Sequence, residues 1–177
     1  NGRWRAGVNI SNIGPKVELV LGGDKSFIPT NLKMGGGFDF ILDNANTITT
    51  NLELNKLLVP TPPIRDSSGE IIAGKDDNVN FLTGMVQSWY DAPRGFEEEM
   101  EEFIWQVSAE YLYNDVFSVR AGYFHESANK GNRQFFTVGT GFKFRSTTLD
   151  VSYLINASDV NNPLESTLRF SLTINLG

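Results

Sequence analysis

The final stretch of the chain, Thr167–Leu176, alternates strictly between apolar and polar residues. Each even position holds a large apolar residue (Leu168, Phe170, Leu172, Ile174 and Leu176), and each odd position holds a polar one. A period of two places the two sets on opposite faces of a β-strand. About ten residues is also the length that a tilted strand needs to cross a bilayer. The pattern therefore predicts a strand with one face suited to hydrocarbon and the other to water.

The same alternation recurs along the chain and predicts about eight strands. These are Trp4–Ile10, Asn31–Leu42, Thr47–Leu58, Phe103–Tyr113, Val116–Phe124, Gln134–Phe144, Thr148–Ile155 and Thr167–Leu176. A short additional strand is predicted within Val17–Leu21. The predicted class is all-β, a transmembrane antiparallel β-barrel, in which residues 1–177 are part of a single barrel domain.

The connections between these strands are alternately short and long. Short turns are predicted at Asp43–Asn46, Asn114–Asp115 and Arg145–Ser146, and longer connections at Ser11–Thr30, Val59–Glu102, Glu126–Gly131 and Asn156–Leu164. Short turns at one end and long loops at the other are typical of outer-membrane barrels, whose short turns face the periplasm. We therefore expect the long loops to be extracellular and the C-terminus to be periplasmic.

Charged residues in the middle of the strands favour a barrel over a soluble β-sandwich, whose strands also alternate. The polar faces carry both signs of charge, which suits pairing across a water-filled lumen. The predicted lumen-facing residues are Arg5, Lys33, Asp39, Glu53, Glu110, Arg120, Lys143, Asp150 and Arg169. Unpaired strand edges cannot face lipid. The strands must therefore either close as an eight-stranded barrel or be completed by N-terminal strands outside this sequence.

The longest connection, Val59–Glu102, is predicted to be an extracellular insertion with secondary structure of its own. Long loops of this kind are usually functional. Prolines end the preceding strand because they cannot donate to a ladder. Apolar residues from Phe81 to Trp89 have helical spacing, and Asp91-Ala92-Pro93 is predicted to cap a second short helix. We predict partner contacts at Pro60, Pro62, Pro63, Phe81, Met85, Trp89, Tyr90 and Phe96. The alternative is that these aromatic residues pack the insertion onto the barrel mouth.

Composition excludes several other classes of protein. The net charge of -6 and pI of about 4.8 argue against a nucleic-acid surface. The absence of cysteine removes disulfides and thiolate sites. No apolar run reaches the roughly 18 residues of a transmembrane helix. Because Asn1 leads almost directly into a strand pattern, we expect that a signal peptide was removed or that the chain is a fragment.

No enzyme, cofactor or metal site is predicted. His125, the only histidine, is interpreted as an exposed loop residue rather than as part of a catalytic triad. Glu97–Glu102 lacks calcium-binding spacing and is interpreted as a largely solvated acidic run. The glycines at 35–37, 139 and 141 lie inside predicted strands and do not form a phosphate loop.

Six longer blocks carry a resemblance to a known family. They are Gly7–Lys16, Phe27–Leu32, Leu54–Pro63, Ser88–Pro93, Arg120–Phe124 and Asn162–Phe170. Their sequence resembles the PorV family, outer-membrane proteins of the type IX secretion system and a branch of the FadL-type barrels. The resemblance implies that this chain is the C-terminal part of a barrel with about fourteen strands.

The resemblance also implies a function in protein transport and a set of partners. PorV-type proteins bind the C-terminal signal domains of secreted cargo, associate with the translocon barrel SprA and deliver cargo to the attachment complex at the cell surface. The alternative on shared architecture is a FadL-like outer-membrane transporter of hydrophobic compounds, because fold alone does not fix function.

Overall fold

The computed structural model describes residues 2–18, 20–158 and 166–175, and antiparallel strands dominate them. The strands are β1 (Gly2–Ser11), β2 (Val17–Glu18), β3 (Lys25–Ser26), β4 (Asn31–Ile41), β5 (Asn46–Leu57), β6 (Ile64–Arg65), β7 (Ile71–Ala73), β8 (Phe103–Tyr113), β9 (Phe117–His125), β10 (Gln134–Phe144), β11 (Thr147–Asn156) and β12 (Leu168–Ile174). The helices are α1 (Phe81–Gln87), α2 (Phe96–Glu101) and a 3-10 turn at Ala128–Lys130.

Eight of the strands form one sheet, in the order β1-β4-β5-β8-β9-β10-β11-β12. They correspond to the eight strands predicted from the alternation, with ends that differ by only a few residues. In the described part of the chain β1 and β12 are the two edges, and the sheet is not closed. The all-β class is confirmed. None of the described helices is long and apolar enough to cross a membrane.

With the exception of Thr140, the register of the sheet keeps polar and apolar residues in separate cross-strand rows. Arg120 pairs with Glu110 and Gly139, and Gly139 pairs with Ser152, which pairs with Arg169. The next row runs through Tyr111, Val119, Thr140, Val151 and Phe170. Successive residues of a strand point to opposite faces. Arg169 therefore shares a face with other polar residues, and Phe170 lies on the apolar face.

The three predicted short turns are present. Asn114 and Asp115 both have positive φ, at 52° and 54°, as the tightest hairpin turns require. The carboxylate of Asp43 accepts hydrogen bonds from the backbone N–H groups of Ala45 and Asn46, each at 2.8 Å. Hydrogen bonds from Ala45 and Asn46 also hold the pKa of Asp43 below its usual value.

Outside the large sheet the structure differs from the predictions in three places. Val17 and Glu18 do not extend the large sheet, because β2 pairs with β3 in a separate two-stranded hairpin. Leu19, in the same predicted strand, lies outside the described residues. The predicted cap at Asp91–Pro93 is wrong: α2 begins at Phe96, and Gly95, with a φ of 72°, occupies the N-cap position. A small hairpin of β6 and β7 was not predicted. Parts of the predicted loop Asn156–Leu164 and Leu176 lie outside the described residues.

The chain divides into two compact units. The first comprises residues 1–7, 35–54 and 105–177, and the second comprises 8–34 and 55–104. In the first unit Asp39 accepts hydrogen bonds from both Arg3 and Arg5, and Arg120 pairs with both Glu110 and Asp150. The assignment of these charges to a lumen stays a prediction. The second unit contains the whole insertion.

Candidate functional site

The insertion is organised around a buried lysine at the end of β5. The side chain of Lys56 is 1% exposed, and its Nζ lies 3.1 Å from Glu99 Oε2 and 2.6 Å from Glu102 Oε2. A buried ammonium ion is tolerated only where opposite charges and hydrogen bonds replace its hydration. Because both carboxylates belong to the segment at and just after α2, this ion pair fixes that segment to β5.

Two further hydrogen bonds extend this arrangement to the segment that follows the strand. The Thr61 hydroxyl donates to Glu102 Oε1 at 2.5 Å, and the Thr61 N–H donates to Asp91 Oδ2 at 3.2 Å. The N–H of Ala92 donates to Glu99 Oε1 at 2.9 Å. We call Lys56, Thr61, Asp91, Glu99 and Glu102 the anchoring cluster. It holds both the start and the end of the insertion in one place.

Asp91 is the exceptional member of the anchoring cluster. It is 1% exposed, and within the described residues its Oδ1 has no hydrogen-bond partner. Burial raises the pKa of Asp91, and the charges of Glu99 and Glu102 raise it further, while the Thr61 N–H opposes the shift. The anchoring cluster thus contains three carboxyl groups, those of Asp91, Glu99 and Glu102, but only one buried ammonium ion, that of Lys56.

We expect Asp91→Asn to stabilise the insertion selectively at higher pH. A raised pKa means that folding favours the protonated carboxyl, so the stability of the native protein falls as pH rises from the ordinary Asp value through the raised one. The variant lacks this titration. Thermal unfolding followed by tryptophan fluorescence should show a higher midpoint for the variant at neutral pH and equal midpoints in acid. A variant that is less stable at neutral pH would contradict this assignment.

Helix α1 is short but well anchored. Asn80 Oδ1 accepts a hydrogen bond from the Thr83 N–H at 3.0 Å, a standard N-cap contact. A Cβ on Gly84 would lie 2.8 Å from Phe27 and 3.0 Å from Pro60, so only glycine allows this close approach. The Gln87 amide donates to the Asp76 carbonyl oxygen at 2.8 Å. One face of the helix is therefore fixed against the rest of its unit.

The opposite face of α1 and the outer face of α2 expose apolar side chains. Trp89 is 43% exposed, Tyr90 54% and Phe96 80%. Leu82 and Val86 on α1 and Met100 on α2 are also exposed. We call this set the apolar surface: Leu82, Val86, Trp89, Tyr90, Phe96 and Met100. Apolar side chains held out by a rigid frame are typical of protein-binding sites.

The two aromatic residues at the end of α1 have cationic neighbours. The Nζ of Lys75 lies 3.6 Å from the centre of the Tyr90 ring, and that of Lys56 lies 5.7 Å from the Trp89 ring. The Trp89 ring also contacts Phe103, with centroids 6.1 Å apart. These contacts orient the rings while leaving about half of each exposed. Trp89 is therefore packed on one side and exposed on the other, and its role in docking a partner stays a prediction.

The predicted partner-binding residues divide between the two faces of the insertion. Trp89, Tyr90, Phe96 and Pro62 are exposed. Pro60 is buried, and Pro63, Phe81 and Met85 are half-buried. Sequence reasoning missed Leu82, Val86 and Met100. A helical projection anchored on the buried Gly84 and Gln87, rather than on Phe81, would have placed Leu82 and Val86 outside.

Two interpretations of charged or polar residues need correction. Glu99 is not part of a solvated acidic run, because it is buried beside Lys56. His125 is not in an exposed loop: it ends β9, is half-buried and stacks on Trp105 with centroids 5.0 Å apart. Within the residues that the structure describes, there is no group of three or more His, Cys, Asp or Glu side chains that could hold a metal ion.

The eight-stranded antiparallel sheet fits the class of outer-membrane β-barrel proteins. The family model described as type IX secretion system protein PorV matches residues 1–64 of the chain. This match, over about a third of the chain, supports its resemblance to PorV-type proteins of the type IX secretion system. No curated protein sequence matches the chain. The family match supports involvement in type IX secretion and association with the outer membrane.

Proposed function

We propose that this chain is a non-enzymatic component that binds the C-terminal signal domains of secreted cargo. In this proposal it takes cargo from the translocon barrel SprA to the attachment complex on the cell surface. The family match supports a place in type IX secretion. The observation that carries the binding role is the apolar surface, which the anchoring cluster holds in a fixed position.

The apolar surface has the composition of a protein interface rather than of a catalytic site. Tryptophan, tyrosine, phenylalanine and methionine are the side chains enriched at interface cores, where a few aromatic anchors carry most of the binding energy. Trp89 and Tyr90 are adjacent and partly exposed, with their rings oriented by neighbouring side chains. Pre-orientation lowers the entropy that a partner must remove on binding. These two residues are therefore the proposed anchors of an extracellular docking surface.

Replacing Trp89 and Tyr90 with alanine in the intact protein should leave barrel assembly normal and reduce partner recovery at least tenfold. That loss corresponds to about 1.4 kcal/mol or more, and truncating an interface hot spot costs about 2 kcal/mol or more. Heat-modifiable gel mobility measures assembly, and quantitative mass spectrometry after a mild-detergent pull-down measures cargo and translocon.

Ile72→Ala provides the matched control. Ile72 is an exposed apolar residue of the same insertion, on β7 rather than on a helix. We expect the control to retain both assembly and partners. Normal assembly with full partner recovery in the double variant would remove Trp89 and Tyr90 from the site. Loss of assembly would assign them to packing instead.

A further inference from the structure

The first unit carries a cluster of aromatic and amide side chains where β8 begins and β9 ends, next to the long connections. Trp105, His125 and Gln134 are register partners in one cross-strand row. The His125 ring stacks on Trp105 with centroids 5.0 Å apart, and the Tyr123 ring lies 5.4 Å from Trp105. All of these side chains are half-buried. We call Trp105, Tyr123, His125 and Gln134 the loop-end cluster.

The loop-end cluster keeps hydrogen-bond donors unused. The Tyr123 hydroxyl donates to Gln134 Oε1 at 3.2 Å and lies 3.5 Å from His125 Nδ1. Among the residues that the structure describes, the Trp105 indole N–H and the Gln134 amide NH₂ have no hydrogen-bond partner. Both groups act as donors. A ligand that lies on this cluster should therefore present oxygen acceptors.

The same face of the sheet is apolar from the loop-end cluster as far as the short turns. Four further cross-strand rows lie on this face, and they start on β8 at Val107, Ala109, Tyr111 and Tyr113. Among their described residues there is no Asp, Glu, Lys or Arg. Val107 and Phe136, which follow the cluster directly, are exposed. The donors of the cluster thus border a wide uncharged field.

The height of this apolar field is comparable with that of a membrane's hydrocarbon layer. β9 crosses the field from Phe117 to His125 in nine residues, or about 26 Å along the strand. At a strand tilt of about 40° this is about 20 Å along the membrane normal, against an apolar band of about 25 Å in outer-membrane barrels. The loop-end cluster therefore lies where acyl chains would meet headgroups.

The distribution of polar groups fits an amphiphile better than a protein partner. A protein interface has a polar rim around a more apolar centre, whereas a lipid has its polar group at one end. Thr140, which lies inside the field, already donates to the Ser118 carbonyl oxygen at 3.0 Å and needs no acceptor from a ligand. Tryptophan and tyrosine suit the boundary, because their rings are apolar and their polar tips remain wet.

We propose that the loop-end cluster binds the headgroup of a membrane lipid in the leaflet nearest the long connections. The phosphate and ester oxygens of the lipid accept hydrogen bonds from the Trp105 indole N–H and the Gln134 amide, and its acyl chains lie on Val107 and Phe136. This site uses neither Trp89 nor Tyr90 and goes beyond the proposed docking function.

The depth of Trp105 is tested by fluorescence quenching of the intact protein in dioleoylphosphatidylcholine liposomes. Trp4→Phe and Trp89→Phe leave Trp105 as the one remaining tryptophan. A small fraction of the lipid carries a nitroxide, either on the headgroup or near the end of an acyl chain. We expect the headgroup label to quench Trp105 at least twofold more strongly than the chain label.

A tryptophan in the middle of the field is the depth control. Val138→Trp, combined with Phe at all three natural tryptophan positions, should show the reverse order of quenching, because Val138 lies two rows below the loop-end cluster. Stronger quenching of Trp105 by the chain label would overturn the proposal. Absence of quenching by either label would overturn it too and would assign this face to a protein neighbour.

Lipid binding is measured separately by native mass spectrometry of the delipidated intact protein, titrated with dioleoylphosphatidylcholine in detergent. Trp105→Phe keeps an aromatic ring but removes the N–H, and Gln134→Leu removes the amide. Each should lower the bound lipid at least threefold, and Gln134→Leu keeps the test valid if Trp105→Phe fails to fold.

Gln106→Leu is the matched control, because Gln106 follows Trp105 on β8 and so points to the opposite face of the sheet. It should bind as much lipid as the unmodified protein. The proposal is wrong if the cluster variants bind as much lipid as this control, or if the unmodified protein binds none. Cargo and translocon are absent from both experiments, so their outcome is separate from that of the docking surface.

Discussion

Replacing Lys56 with glutamine should destabilise the insertion by about 3–5 kcal/mol, the usual cost of removing one partner from a buried ion pair. The variant leaves Glu99 and Glu102 facing each other in a buried site without the ammonium ion that lies 3.1 Å and 2.6 Å from them. Their mutual repulsion should release α2 from β5. Limited proteolysis should then cleave within Val59–Glu102, while the strands stay resistant.

The effect of Lys56→Gln is expected because the lost charge is buried, not simply because one positive charge is lost. Lys75→Gln removes the same charge from an exposed side chain, so we expect its proteolysis pattern to match that of the unmodified protein. Partner recovery should fall in Lys56→Gln even though every residue of the apolar surface is unchanged, since the frame that orients them is lost. An intact insertion in Lys56→Gln would refute the anchoring role.

Placing an arginine at Phe170 should reduce the stability of the folded barrel in a bilayer by about 2–4 kcal/mol, the range measured for arginine on the lipid face near the midplane. Phe170 lies in the middle of β12, is 68% exposed and pairs with Val151 in an apolar row. If that row faces hydrocarbon, a guanidinium there has no partner for its five donors. Urea unfolding of the protein in liposomes, followed by gel mobility, measures the change.

Ser171→Arg tests the same strand on its other face. Ser171 pairs with Asp150, a carboxylate on the same face of the sheet as Arg169. An arginine at this position gains a partner instead of losing solvation. We expect a change in the free energy of unfolding well below that of Phe170→Arg. A larger cost at Ser171 than at Phe170 would show that the faces have been assigned in reverse.

The strands of the large sheet could be predicted from sequence because their information is local. Alternation with period two fixes both the strand and its two faces, and the turn at Asn114-Asp115 marks where one strand ends and the next begins. Every strand repeats the same pattern, so the faces of Arg169 and Phe170 follow from their parity alone. The family resemblance likewise depended only on the order of residues.

The insertion depended on contacts that sequence order does not reveal. Asp91 fits the local pattern of a helix cap, yet its carboxylate accepts a hydrogen bond from the N–H of Thr61, which is 30 residues away. Glu99 belongs to an acidic run that was predicted to be solvated, yet it is buried and pairs with Lys56, 43 residues earlier. Tertiary packing determines which side chains meet across such sequence separations. Local capping and charge patterns therefore predict the partners of such residues incorrectly.

The sequence by itself determined the all-β class, the eight strands and the presence of helices in the longest connection. Only the tertiary structure decided which side of α1 is free, because the close approach of Gly84 to Phe27 and Pro60 selects one face for burial. That choice exposes Leu82 and Val86 and half-buries Phe81 and Met85. A seven-residue helix is compatible with either orientation on periodicity alone, and the packing of its smallest residue against an aromatic ring and a proline ring fixes which one is adopted.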